Sequence, residues 1–211
     1  MTARNDTSQI TNGTSMTWWI GPAFFASGFA ALIYQVVWQR VLFANFGINI
    51  EAVTIVVTAF LAGLGVGSLI GGRVSVRKPE LLLMAFGIVE ISIGVYGFTS
   101  VQLFRWLAEF ASGMTQASSG ALTFTLVLVP TVMMGFTLPL LVSFVVRENR
   151  NVGFSVGQLY FVNTAGSALA SLFAAAFMMG ALGESKSVAV AATVNVTVGA
   201  IVLIQAVRSR L

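Results

Sequence analysis

Residues 17–45, "TWWIGPAFFASGFAALIYQVVWQRVLFAN", decide the fold. From Trp18 to Val37 the run is apolar enough for a helix that crosses a bilayer, which needs roughly 20 such residues. A cleavable signal has a shorter apolar core, of about 7–15 residues. The segment therefore reads as an uncleaved first span behind a polar tail, residues 1–16, that carries Asn5, Asp6, Ser8, Asn12 and Ser15. Pro22 falls in the first helical turn, where its missing N–H costs little, and Trp18 and Trp19 suit a membrane interface. The second half of the span is less ordinary, with Tyr34, Gln35, Trp38, Gln39 and Arg40 inside two turns. Ser27, Ala31, Gln35 and Gln39 follow one i,i+4 line, with Tyr34 and Trp38 beside it. A helix that only anchors has no use for this stripe, which is expected to face other helices. Arg40 lies near the outer end, reaching headgroups or pairing with Glu51.

The whole chain has the same character. Its 211 residues are 57% hydrophobic and 9% charged, with a mean hydropathy of +0.91, whereas soluble domains carry about 25% charged residues. Six stretches are long enough to span, near 17–45, 50–72, 80–100, 119–146, 154–180 and 186–207. The expected fold is an all-α integral membrane protein, about six transmembrane helices in one bundle over residues 17–208. Between the third and fourth spans, "VQLFRWLAEFAS" (101–112) has two readings. Leu103, Phe104, Leu107 and Phe110 share a face, and Arg105 and Glu109 are spaced to pair, as in an interfacial helix; the alternative is that it extends the third span. With six spans, Arg4, Arg73, Arg77, Lys78, Arg147, Arg150, Arg208 and Arg210 fall on one side, and Arg40, Arg105 and Lys186 on the other. That bias places both termini in the cytoplasm, across a plasma or inner membrane.

Cysteine and histidine are absent. This removes disulfides, thiolate metal sites, a cysteine nucleophile, Ser-His-Asp catalysis and imidazole proton relays. No metal, cofactor or nucleic acid is expected as a partner; the lipid bilayer is. The sequence carries no low-complexity tract, coiled coil or strong internal repeat.

Within the spans, several motifs stand out. "GLGVGSLIGG" sets Gly63, Gly67 and Gly71 four apart, and Gly166, Ala170 and Ala174 repeat the spacing in the fifth span. Small residues so placed let helix backbones pack closely; whether the partner helix lies in the same chain is open. "FGIVEISIG" puts Glu90 in the third span. An ionised carboxylate is costly there, so Glu90 is expected neutral or paired, and a hydrogen bond to another helix is preferred over a proton or cation site. The fourth span carries Pro130 and, in "MGFTLPLL", Pro139, each removing a backbone donor and marking an expected helix break. "GQLYFVNTAGSALASL" gives the fifth span a polar stripe of Tyr160, Asn163 and Ser167. Glu90, Gln35, Tyr34, Tyr160 and Asn163 together form the candidate intramembrane polar site.

The segments "FFASGFAALIYQVVWQRVL", "GLGVGSLIGGR", "GFTLPLL" and "LYFVNTAGSALASL", in this order over residues 24–183, resemble the membrane part of the membrane-bound spermidine synthase-like proteins, the fused transporter-like and polyamine synthase proteins. The basic loop in "GGRVSVRKPE" (71–80) also resembles a major-facilitator loop. In the spermidine synthase-like family the spans precede an aminopropyltransferase-like domain. These 211 residues hold no glycine-rich nucleotide loop and no soluble acidic stretch, so the resemblance implies a membrane module without catalytic residues. It would work with a protein partner, a soluble synthase-like chain or other membrane subunits. The alternatives are a small six-span transporter acting as a dimer of halves, for a small molecule or cation, and an accessory packing subunit of a larger complex.

Overall fold

The computed structural model describes residues 18–46 and 50–208. The described residues form six long helices, α1 (Ile20–Phe46), α2 (Ile50–Arg77), α3 (Leu82–Phe110), α4 (Gln116–Asn149), α5 (Val152–Phe173) and α6 (Gly183–Arg208). All six are long and apolar enough to cross a membrane, and the chain is a multi-pass bundle. Arg4 and Arg210 of the charge count lie outside the described residues, as does the side chain of Glu51.

Short connections make neighbours antiparallel. The turn between α4 and α5 is left-handed at Arg150 (φ 54°), and Asn151 caps α5 by accepting from the Phe154 N–H at 3.0 Å. Gly183, at φ 71°, makes the turn into α6, a conformation that L side chains rarely adopt. Of the two readings of residues 101–112, the structure takes the extension. α3 runs to Phe110 with Val101 and Phe104 buried, and Arg105 pairs across the bundle with Glu184 rather than along its own helix with Glu109.

The expected break in α4 does not occur at either proline; the helix is continuous from Gln116 to Asn149. Each proline frees the carbonyl four residues earlier, and a neighbouring helix supplies the missing donor. Tyr96 Oη donates to the Leu126 carbonyl freed by Pro130, at 2.7 Å, and Ser68 Oγ donates to the Gly135 carbonyl freed by Pro139, at 3.1 Å. A double-mutant cycle checks this. Tyr96→Phe should cost about 1 kcal/mol in thermal unfolding, and markedly less once Pro130→Ala restores an N–H to Leu126. Equal losses in both backgrounds would refute the assignment. The irregular turn lies instead in α5, whose end passes through a π-helical segment, Ala174–Met178, before a last turn at Met179–Ala181.

The packing carries an internal repeat that the sequence reading missed. α1 packs chiefly on α5, α4 on α2, and α3 on α6, while α1–α6 and α3–α4 are the next contacts. Exchanging the first three helices for the last three leaves this pattern unchanged. The contacts themselves repeat. A Cβ at Gly166 of α5 would meet Phe25 O of α1 at 2.1 Å and Phe29 N at 3.2 Å; one at Gly67 of α2 would meet Val132 O of α4 at 2.1 Å and Phe136 N at 2.9 Å. In the reverse direction a Cβ at Gly28 would lie 2.3 Å from Asn163 O, and one at Gly135 2.3 Å from Leu64 O. Next to each clasp a serine donates to the facing glycine carbonyl, Ser167 to Gly28 at 3.0 Å and Ser68 to Gly135 at 3.1 Å. The pairs Gly28-Phe29 with Gly166-Ser167 and Gly135-Phe136 with Gly67-Ser68 are one device used twice. α1 and α5 run parallel, as do α2 and α4, and α3 is antiparallel to α6; each unit has an odd number of helices. The second unit is therefore inverted relative to the first. The small-residue faces of Gly63, Gly67, Gly71 and Gly166 find their partners within this chain, in α4 and α1, and Ala170 and Ala174 are buried.

Candidate functional site

The polar residues of the first span divide between two tasks. Tyr34 and Trp38 turn toward α3. They stack at 4.9 Å between ring centroids, and Trp38 Nε1 donates to Ser100 Oγ at 2.9 Å. Both are fully buried, and the Tyr34 hydroxyl has no partner among the described residues. Ala31 and Gln35 turn the other way, into a cavity of about 320 Å³ that Ser27, on the α3 side, also lines. Arg40 is exposed at the far end of α1, where it and Arg105 share Glu184, at 3.6 and 3.0 Å.

The cavity lies mainly between α1, α2, α4 and α5, and Ile93 of α3 and Asn195 of α6 also line it. Its lining follows the repeat: Ser27 and Ala31 of α1 correspond to Met134 and Leu138 of α4, and Asn163 and Ser167 of α5 to Leu64 and Ser68 of α2. The site thus straddles the axis relating the two units. Polarity is unequal, because Ser27 and Asn163 on one side face Met134 and Leu64 on the other. Tyr160, Asn163 and Ser167 of α5 all line the cavity. Asn163 Nδ2 donates to Phe24 O at 3.2 Å, which ties α5 to α1. Tyr160 remains 63% exposed and stands at the cavity's rim rather than within the bundle.

Glu90 is fully buried on α3 behind this cavity, and its partners differ from those the candidate site grouped with it. Neither Gln35 nor Asn163 bonds to it. Ser27 Oγ donates to Glu90 Oε1 at 2.6 Å, and Asn195 Nδ2 of α6 donates to Oε2. Both donors also line the cavity, so each is a wall between it and the carboxyl group. Asn195 is 1% exposed, and its Oδ1 has no hydrogen-bond partner among the described residues. Sequence reading passed over Asn195, Ser68 and Thr137. The signal for Asn195 was a lone amide in the otherwise apolar run "VAVAATVNVTVGAIVLI" (188–204). Among the described residues no three acidic side chains converge as a metal site would need. Comparison with protein-family models, curated proteins and solved structures returns no match.

Proposed function

We propose that this chain is a solute-binding membrane module of the transporter type, with the cavity as its binding site. The observation that carries the reading is that the cavity straddles the axis of an inverted repeat and is lined by corresponding residues of both units. Transporters built from inverted repeats bind substrate near the bilayer midplane at the repeat interface. Its size and mixed apolar and polar lining suit a small molecule. Arg73, Arg77, Lys78, Arg147, Arg150 and Arg208 gather at one end of the bundle, which on this reading faces the cytoplasm with both chain termini.

The resemblance to the membrane part of spermidine synthase-like proteins supplies a second reading, a module that works against a protein partner. One observation favours a partner. In the spans containing α2 and α5, 28% and 24% of the most apolar window is buried, against 44% in each of the other four. Those two helices flank the cavity without packing substantially on each other. A second copy or another subunit would complete this face, and a half-transporter and a synthase-associated module both use it.

The absence of cysteine makes the test clean. Single substitutions Gln35→Cys and Leu32→Cys in the cavity, Leu172→Cys and Ile204→Cys on the outer surface, and Lys78→Cys and Thr115→Cys at the two ends are labelled in membrane vesicles with impermeant thiol reagents. The cavity cysteines should react, the outer-surface ones should not, and Lys78→Cys and Thr115→Cys should react from opposite sides, Lys78→Cys from the cytoplasm. Cavity positions as silent as Leu172→Cys would overturn the binding-site reading.

A further inference from the structure

We infer that Asn195 is a switch through which protonation of Glu90 changes what the cavity binds. The inference deepens the proposed function and rests on the cavity being open to water. It starts from a mismatch in the hydrogen bonds. Glu90 receives donors on both carboxyl oxygens, from Ser27 and from Asn195 Nδ2, the arrangement suited to a carboxylate. Using its Nδ2 on Glu90 leaves the Asn195 Oδ1 as an acceptor with no partner among the described residues, on a side chain that lines the cavity and is 1% exposed. An orphaned buried acceptor is costly, and a ligand carrying an N–H or O–H donor would satisfy it.

A carboxylic acid reverses the arrangement. A proton delivered as hydronium through the cavity water, leaving a neutral water behind, adds to Oε2, which becomes an O–H donor and needs an acceptor. Half a turn about the terminal bond of Asn195 exchanges its amide oxygen and nitrogen in nearly the same volume. Oδ1 then accepts from Glu90, while Nδ2 becomes the free group and offers a donor. Ser27 still donates to Oε1 throughout. No electrons move, and the net change is one proton gained at Glu90 and one acceptor replaced by a donor at Asn195. The ionised state accordingly favours cationic or donor-bearing solutes, and the neutral state anionic or acceptor-bearing ones. Few other groups compete. α4 and α6 carry no titratable residue between Gln116 and Arg147 or between Lys186 and Arg208, α3 itself adds Tyr96 and, toward its far end, Arg105 and Glu109, and α1 brings Tyr34, whose hydroxyl has no hydrogen-bond partner among the described residues.

The test uses full-length Gln35→Cys protein in liposomes, modified across a pH series with a cationic and an anionic thiosulfonate reagent. The ratio of the two rates cancels ionisation of the thiol itself. It should fall by roughly tenfold as Glu90 gains its proton, the effect on oppositely charged reagents of one unit charge about 12 Å away in a partly shielded cavity, since Gln35 lies eight residues along α1 from Ser27. In the Glu90→Gln background the ratio should stay at its low-pH value at every pH. Infrared pH-difference spectra of protein with 13C-labelled asparagine give the second readout. A protonated-carboxyl band should appear together with a shifted asparagine side-chain carbonyl. Both should vanish in Glu90→Gln, and the asparagine shift alone in Asn195→Leu. Silence of both reagents overturns the binding-site reading on which this rests. Reaction with a pH-independent ratio, or a carboxyl band without an asparagine shift, overturns the switch alone.

Discussion

Gly67→Ala and Gly166→Ala are expected each to destabilise the protein by about 1–3 kcal/mol in thermal unfolding in mild detergent, the usual cost of overpacking a tight contact. The added Cβ would stand 2.1 Å from Val132 O in the first case and from Phe25 O in the second. Both obstacles are backbone atoms, which cannot rotate away as a side chain can. One helix must shift against its partner, and the serine bond beside each clasp shifts with it. Gly65→Ala and Gly157→Ala are the controls, since nothing lies within 4 Å of a Cβ at either position. Alanine there should be neutral or stabilising by up to about 1 kcal/mol, because glycine is the poorer helix former. The inverted repeat adds a sharper condition: the two damaging substitutions should have similar effects. A Gly166→Ala protein as stable as wild type, beside a weakened Gly67→Ala, would break the equivalence of the two clasps.

The bundle was legible because the requirement for about 20 apolar residues per span leaves a strong signature. Where spans end was less so. Residues 101–110 carry an apolar face that an interfacial helix and an extended span would both need, and only the burial of Val101 and Phe104 separates the two. The prolines misled for a related reason. Their effect depends on whether a donor stands nearby, and Tyr96 and Ser68 lie 34 and 71 residues away in sequence.

The repeat was hidden by the chemistry of lipid itself. Any apolar side chain serves on a lipid-facing surface, so the two units retain little beyond Gly28-Phe29 with Gly135-Phe136 and Gly67-Ser68 with Gly166-Ser167. Those positions are fixed by backbone approach. Aligning glycines followed by serine or phenylalanine, rather than overall hydropathy, would have found it. The polar site was half legible. Stripes on α1 and α5 predicted inward faces, and they line one cavity, but helical periodicity says nothing about which other helix meets Glu90. Asn195 was the missing member, and a single amide has no period to reveal it.

Glu90→Leu is the second substitution with a large expected effect, about 2–3 kcal/mol of lost stability. It removes the acceptor for both Ser27 Oγ and Asn195 Nδ2. Hydrogen bonds between transmembrane helices average only about 0.6 kcal/mol, because a freed group usually finds another partner. The two donors differ in that respect. Ser27 can turn its hydroxyl to a carbonyl of its own helix, as serines in helices commonly do. Asn195 is 1% exposed and its Oδ1 has no partner among the described residues, so no protein group would satisfy either end of its amide, and water at the cavity wall would have to replace a buried bond. A buried polar group stranded in this way costs about 1–3 kcal/mol, so Asn195 should carry most of the loss. Glu90→Gln should remain within about 1 kcal/mol of wild type, since its amide can accept from Ser27 and donate to a rotated Asn195. Replacing both partners by apolar groups of similar shape can be nearly neutral. Asn195→Leu introduced into Glu90→Leu should therefore restore at least half of the lost stability, although alone it removes a donor from a buried carboxyl and should destabilise. The sign reversal of Asn195→Leu between the two backgrounds is the discriminating measurement. Additive losses would mean that the two residues do not act as a pair.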